Sequence, residues 1–253
     1  LYLNQNFGKM KASVLFLNNG KQVTASDSVD FTSSFGNTTT LHFNQTSLYY
    51  TQTAGLRVGF VGEKFKAWGA FYYQMGNNGG YTATANDSID DVTIEKRNTA
   101  AMLARVDLSG KVGPVALSGG FEYQSGNSQI DPSADDQAFS PFYGTNHKFN
   151  GLMDYFYVGN HFGSVGLTDV FLGAKYKKDK FWVGVTGHYF MAANKVWDTK
   201  QYATDQEAAI EAGNDPSLVE KKAMDSGLGV ELDLTMGYNV NKELGIAFGF
   251  SQM

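Results

Sequence analysis

One stretch of the sequence, Asp169 to Phe190, most constrains the fold, because it consists of two alternating segments joined by a very short turn. The first segment places Val170, Leu172, Ala174 and Tyr176 on one face, and the second does the same with Phe181, Val183, Val185 and Tyr189. A period of two is typical of a β-strand whose two faces meet different surroundings. We therefore predict a β-hairpin that reverses at Lys178 and Asp179.

Aromatic residues stand near both ends of the second segment, and small residues lie between them. From Phe181 to Tyr189 the chain rises about 3.3 Å per residue, and with a strand tilt of about 40° it spans roughly 20 Å along a membrane normal. The apolar band between the aromatic girdles of an outer-membrane barrel is about 25 Å tall. The hairpin is typical of a pair of membrane strands, but a strand pair in a soluble sandwich or a lipocalin-like barrel fits it equally well, so the rest of the chain has to decide.

The same alternation recurs along the chain and predicts about ten strands. Short turns alternate with long polar stretches, which we place in loops at residues 18–40, 76–98, 126–168 and 191–225. A barrel inserted from one side has this asymmetry, whereas a Greek-key sandwich mixes connection lengths. The sequence therefore predicts an all-β fold: a transmembrane, antiparallel, up-and-down β-barrel with short periplasmic turns and long external loops.

We interpret residues 1–253 as a single outer-membrane β-barrel domain, and we expect it to be part of a longer barrel. Residues 191–225 are predicted to form an external loop with a short helical insertion, capped at Thr204 and Asp205, with a second helical segment opening at Asp215 and Pro216. The first turn is predicted from Asn4 to Lys9.

The absence of cysteine fits an envelope protein, and the net charge of −5 argues against nucleic-acid binding.

Charged residues fall on the strand face opposite the apolar series. A charge that faces lipid near the bilayer midplane costs about 2–4 kcal/mol, so this face is expected to line a wet interior. The predicted pore-lining residues are Arg57, Lys66, Arg105, Asp107, Glu122, Lys175, His188, Glu231 and Asp233. Their charges are mixed in sign. They either pair along the wall or set up a transverse field that orders a polar or zwitterionic solute.

A motif lies within the longest polar stretch. It has the form Y-G-x-x-H-x-F-x-G-x-x-D, made by Tyr143, Gly144, His147, Phe149, Gly151 and Asp154, and it is followed by G-L-x-D at Gly166, Leu167 and Asp169. This element resembles the alginate-export family of outer-membrane porins. The resemblance implies a large monomeric barrel of the bacterial outer membrane, whose basic lumen conducts an anionic polysaccharide outward. The present chain is shorter than such a pore needs, and its predicted lining is mixed in sign instead of dominantly basic.

Other chemistry has little support in the sequence. The chain contains 4 His, which would suit a barrel hydrolase with a His, an acid and a Ser at its rim, but no nucleophile motif accompanies them. We therefore predict no enzyme activity. The acidic loop residues Asp87, Asp90, Asp91, Asp131, Asp135 and Asp136 match no calcium-loop spacing, so we interpret them as solvated and predict no metal or cofactor.

The function predicted from the sequence is a passive outer-membrane channel for a polar or charged solute, with residues 126–168 narrowing its mouth. The expected partners are the lipid bilayer of the outer membrane and a polar or anionic solute. The alternative is a plugged structural barrel whose external loops dock other envelope proteins. Strand number separates the two, because about ten strands leave an interior that side chains nearly fill, whereas roughly 16 to 18 leave an aqueous channel.

Overall fold

The structure, a computed structural model, is a single sheet of ten antiparallel strands whose spatial order is their sequence order. It describes residues 1–32, 38–85, 92–142, 150–156 and 164–253, and for residues 23–32, 38–47, 78–85 and 92–96 it describes only the backbone. Every strand therefore pairs with the strand before it and the strand after it, except at the two edges of the sheet. This is the up-and-down arrangement that the sequence predicts.

The strands of the first half are β1 Tyr2–Phe7, β2 Met10–Thr32, β3 Thr38–Val61, β4 Phe65–Ala85 and β5 Val92–Val112. Those of the second half are β6 Val115–Gln124, β7 Leu167–Lys178, β8 Phe181–Ala192, β9 Gly227–Asn239 and β10 Gly245–Gln252. Among the described residues β1 and β10 are the sheet edges and do not pair with each other. The all-β, up-and-down prediction is confirmed, and closure into a barrel stays a prediction.

Two of the predicted long loops are largely strand. β2 and β3 stay paired as far as Thr32 opposite Thr38, so the loop prediction for residues 18–40 is wrong wherever the structure describes them. β4 and β5 likewise stay paired to Ala85 opposite Val92, which contradicts a loop at residues 76–85 and 92–98, the described part of the predicted range. Polar strands show no apolar alternation in the sequence. They can still pair, because the hydrogen bonds between strands are made by backbone groups and do not require an apolar face.

The short turns lie close to their predicted positions. β1 joins β2 at Gly8 and Lys9, so the predicted turn from Asn4 begins too early. β7 joins β8 at Asp179 and Lys180, one residue later than predicted. Gly8 has a φ of 64° and Asp179 a φ of 52°. Both lie in the left-handed region, which matches the twist of the flanking strands in tight hairpin turns.

The connection between β8 and β9 carries α1, Thr199–Glu211, which is the α-helix of the described residues. Its N-cap is Asp198, whose carboxylate accepts a hydrogen bond from the backbone N–H of Gln201 at 2.9 Å. The predicted start at Thr204 is therefore too late by more than one turn. The second predicted helical segment is shorter than expected, a single 3-10 turn at Pro216–Leu218.

An exposed ion pair joins α1 to the chain that follows it. Lys222 Nζ donates to Asp205 Oδ2 at 2.7 Å, and this hydrogen bond holds the pKa of the Asp205 carboxyl below its usual range. A backbone bridge between Trp197 and Ala223 closes the base of the same connection. No helix in the described ranges is both long and apolar enough to cross a membrane.

The two faces of the sheet have opposite character. One face exposes large apolar side chains, among them Leu56, Phe71, Val106, Leu172 and Leu232. The other face buries polar and charged side chains, among them Thr53, Gln74, Glu122, Asp169 and Glu231. Charged residues of water-soluble proteins are almost never fully buried unless they are paired, and large exposed apolar surfaces are unusual. We call these two surfaces the apolar face and the polar face.

Candidate functional site on the polar face

A row of charged side chains crosses the polar face from β5 to β9. Arg105 stands opposite Glu122 in the ladder, and Glu122 stands opposite Asp169. Farther along the row His188 stands opposite Glu231. The strand register therefore brings together residues that lie far apart in the sequence.

Arg105 is the cation in the first half of the row. Its Nη1 donates to Glu122 Oε2 at 2.6 Å, and its Nη2 donates to Asp107 Oδ1 at 2.7 Å. Glu122 Oε1 also accepts hydrogen bonds from Gln124 Nε2 at 2.7 Å and from Asn150 Nδ2 at 3.1 Å. The single guanidinium of Arg105 thus pairs with the two carboxylates of Asp107 and Glu122, so these three side chains together carry a net negative charge.

His188 occupies the second half of the row. Its Nδ1 lies 3.0 Å from each carboxylate oxygen of Asp169, and its Nε2 lies 3.7 Å from Asp233 Oδ2. The imidazole also stacks on Phe171 and on Phe190, with ring centroids 5.5 Å apart in both cases. These contacts fix the orientation of the ring, and His188 is a hydrogen-bonded residue of the sheet wall.

The second half of the row has more acceptors than donors. Among the described side chains along this row, four buried oxygens have no hydrogen-bond partner: Gln124 Oε1 and Asn150 Oδ1 beside Glu122, and Glu231 Oε2 and Asp233 Oδ1 on β9. All four atoms can accept a hydrogen bond and none can donate one unless a carboxyl group is protonated. The polar face is therefore acidic at the β8 and β9 side, where a proton or a cationic group would find acceptors.

Part of the connection between β6 and β7 lies against the polar face, and we call its described residues, 125–142 and 150–156, the inner segment. Its first attachment is to Gln74 of β4. Gln74 Nε2 donates to the backbone oxygen of Ser140 at 2.6 Å, and Gln74 Oε1 accepts from the backbone N–H of Ser140 at 2.9 Å. A single amide side chain thus satisfies both backbone groups of one residue in the inner segment.

Another attachment of the inner segment is to Glu231, which is fully buried at 0% exposure. Glu231 Oε1 accepts a hydrogen bond from the backbone N–H of Met153 at 2.8 Å. Gly151 has a φ of 82°, and a Cβ at this position would overlap the Glu231 carboxylate. Only glycine therefore allows the inner segment to approach β9 this closely.

Three cations of the polar face stack on aromatic rings. The pairs are Arg57 on Trp68 at 3.9 Å, Lys175 on Trp182 at 3.8 Å and Arg105 on Phe171 at 5.4 Å from the ring centroid. Each ring lies across a glycine that is its direct partner in the ladder: Gly59 for Trp68, Gly237 for Trp182 and Gly120 for Phe171. A Cβ on any of these glycines would overlap the ring. The glycines therefore let the rings lie against the wall, and the rings hold the cations in place.

A cavity of about 570 Å³ lies between the inner segment and strands β2 to β6. Its lining is mostly apolar and includes Tyr72 from the sheet and Phe139 and Phe142 from the inner segment. Arg57 and Arg105 also line it. Arg105 is neutralised by its two carboxylates, whereas Arg57 makes no ion pair within the part of the chain that the structure describes.

All nine predicted pore-lining residues belong to the polar face of their strands. Lys66 and Lys175 are exposed near the short turns, while Glu122, His188, Glu231 and Asp233 are buried. Of the predicted motif, Tyr143, Gly144, His147 and Phe149 lie outside the described residues. Gly151 and Asp154 belong to the inner segment, and both have positive φ.

The acidic loop residues behave differently from the prediction. Asp136 is buried and accepts a hydrogen bond from Asn127 Nδ2 at 2.7 Å, so the interpretation of this residue as solvated is wrong. Asp131 is exposed and pairs with Lys195 at 2.7 Å. Asp87, Asp90 and Asp91 lie outside the described residues. In the described ranges no group of three or more His, Cys, Asp or Glu side chains is arranged to hold a metal ion.

The sequence search missed several residues that build the site, namely Gln74, Asn150, Trp68 and Phe139. Gln74 and Trp68 alternate in step with the polar face of β4, so their side could be predicted. The partners of Gln74 and Asn150 could not, because both reach across to another segment of the fold. Comparison with protein-family models and with curated proteins finds no match to this chain, and the resemblance to alginate-export porins stays a prediction.

Proposed function

We propose that this chain forms the wall of a β-barrel in the bacterial outer membrane, with its apolar face toward lipid and its polar face toward a wet interior. The observation that supports this most is the inversion of burial between the two faces. Within β7, Leu172 is 73% exposed while Asp169 is 1% exposed. Apolar surface in water costs about 25 cal/mol per Å², and contact with lipid removes that cost on the apolar face.

We further propose that the barrel is a channel for a small polar or charged solute. The mixed charges of the polar face support this, because the acidic side at β9 lies on the same surface as Arg57 of β3, which makes no ion pair with any described residue. Charged residues that line a barrel interior tune which solutes pass. The sequence resemblance to alginate-export porins favours an anionic solute, and polysaccharide export is one form of this function.

A plugged barrel that docks other envelope proteins is the second candidate. The observation that favours it is the attachment of the inner segment to Gln74 and Glu231, on two well separated strands. An inner segment held at both places narrows the interior whatever the number of strands. In this candidate the long hairpin of β2 and β3 would carry the docking surface.

Planar-bilayer recordings of the full-length protein separate the two candidates. A channel gives reproducible single-channel conductance, and under a salt gradient Arg57→Gln should shift its reversal potential toward cation selectivity because an unpaired cation is lost from the wall. Arg57→Gln combined with Arg105→Gln should shift it further. Lys200→Gln, on the exposed helix α1, is the matched control and should leave the reversal potential unchanged.

Two results would overturn the channel proposal. If the full-length protein inserts but carries no current, the plugged docking barrel becomes the better account. If current flows but Arg57→Gln leaves the reversal potential unchanged, the polar face does not line the conducting path.

A further inference from the structure

The cavity beneath the inner segment combines an apolar lining with a cation, Arg57, that has no carboxylate partner among the described residues. Arg57 is held at the cavity wall because its guanidinium stacks on Trp68, and Trp68 lies across Gly59. A guanidinium presents a planar set of donors that matches a carboxylate in a two-point contact. Arg57 is therefore positioned as an anion-binding group that is already in place before the anion arrives.

The second arginine of the cavity does not add another anion site. Arg105 already donates to Asp107 at 2.7 Å and to Glu122 at 2.6 Å. These carboxylates also face the cavity, and they would repel a second negative charge on a ligand. The cavity therefore selects one anionic group and disfavours a polyanion.

The apolar lining indicates that the rest of the ligand, to which the anionic group is attached, is apolar. Tyr72 lies across Gly55 in the same way that Trp68 lies across Gly59, so its ring is fixed on the wall. Phe139 and Phe142 close the cavity from the inner segment. The volume of about 570 Å³ is within the range of small-molecule sites. Side chains of this kind accommodate a flat apolar ring.

We propose that this cavity binds a small monocarboxylate that carries one flat apolar ring, with the carboxylate on Arg57 and the ring against the apolar lining. The inference deepens the proposed function and rests on it, because the ligand reaches the cavity from the interior of the barrel. A neutral ring compound lacks the group that Arg57 recognises, and a short aliphatic acid lacks the ring.

Isothermal titration of the full-length protein in lipid nanodiscs tests the proposal, with sodium benzoate as the probe. Benzoate should bind more tightly than benzyl alcohol or acetate. Arg57→Gln should weaken benzoate binding about tenfold or more, since hydrogen bonds to charged groups contribute about 1.5–3 kcal/mol. Arg57→Lys, which keeps the charge without the planar fork, should give an intermediate loss, and Phe142→Ala should weaken benzoate more than acetate.

Lys175→Gln is the matched control, because Lys175 stacks on Trp182 in the same manner but lies outside the cavity. Its benzoate affinity should equal that of the wild-type protein. Equal affinity for benzoate, benzyl alcohol and acetate would overturn the proposal, as would an equal loss in Arg57→Gln and Lys175→Gln. Binding without current would refute the channel alone, and current without benzoate binding would refute the cavity site alone.

Discussion

Replacing Gln74 with Leu should free the backbone of Ser140 from the sheet while keeping the volume of the side chain nearly constant. Gln74 is 1% exposed, and its amide makes two hydrogen bonds to the backbone of Ser140, at 2.6 and 2.9 Å. A neutral hydrogen bond contributes about 0.5–1.5 kcal/mol, so the two together contribute about 1–3 kcal/mol. Since about 1.4 kcal/mol corresponds to a factor of ten, the population in which the Ser140 backbone is detached from the sheet should rise roughly 5- to 150-fold.

Hydrogen exchange with mass spectrometry on the full-length protein in nanodiscs measures this change directly. The backbone N–H of Ser140 donates to Gln74 in the attached state, so the amide of Ser140, followed in peptides within residues 136–142, should exchange faster in Gln74→Leu by the same factor. If the protein is a channel, its open probability should rise as well. Peptides of β7 and β8 should keep their wild-type exchange rates, because the sheet ladder is unchanged.

Gln52→Leu is the matched control. Gln52 lies on the opposite face of β3 and donates to Asn18 Oδ1 at 2.8 Å, without a hydrogen bond to the inner segment. Its substitution should leave exchange at residues 136–142 unchanged. Wild-type exchange in Gln74→Leu, or an equal acceleration in Gln52→Leu, would refute the assignment of Gln74 as the attachment point.

Two further pairs of substitutions test the faces of the sheet and the packing of Trp68. Leu232→Arg should destabilise the protein by about 2–4 kcal/mol in lipid refolding titrations because Leu232 lies on the apolar face, whereas Thr186→Arg on the polar face should cost less; the reverse order would contradict the face assignment. Gly59→Ala should cost about 1–3 kcal/mol because a Cβ overlaps the Trp68 ring. Gly69→Ala, whose Cβ meets nothing nearer than 4.0 Å, should change the urea midpoint little, and equal effects of the two alanines would disprove the packing of Trp68 on Gly59.

The faces of the strands could be predicted from the sequence because the alternation of apolar and polar residues is visible within each amphipathic strand. Leu56 and Arg57 are neighbours that point to opposite faces, and the structure places one on the apolar face and the other at the cavity. The same holds for Phe71 and Tyr72. A period of two needs no knowledge of the partner strand, which is why this part of the prediction succeeds.

Strand length and side-chain partners could not be predicted in the same way. Beyond residue 18 of β2 and residue 76 of β4 the sequence no longer alternates regularly between large apolar and polar residues, so the strand continues without a signal in the sequence. The approach of Gly151 to Glu231 joins positions that are distant in the chain. Contacts of this kind depend on where the inner segment folds, which is a property of the whole sheet.

The orientation of the sheet in a bilayer is the central claim, and spin-label accessibility tests it most directly. The chain contains no cysteine, so single cysteines at Val106 and Leu172 on the apolar face, and at Ala70 and Thr186 on the polar face, can each carry one nitroxide. In nanodiscs the labels at 106 and 172 should collide more with oxygen, which partitions into lipid, than with a water-soluble nickel chelate. The labels at 70 and 186 should show the opposite preference. Equal access of the nickel chelate to both faces would contradict a sheet that stands between lipid and a wet interior.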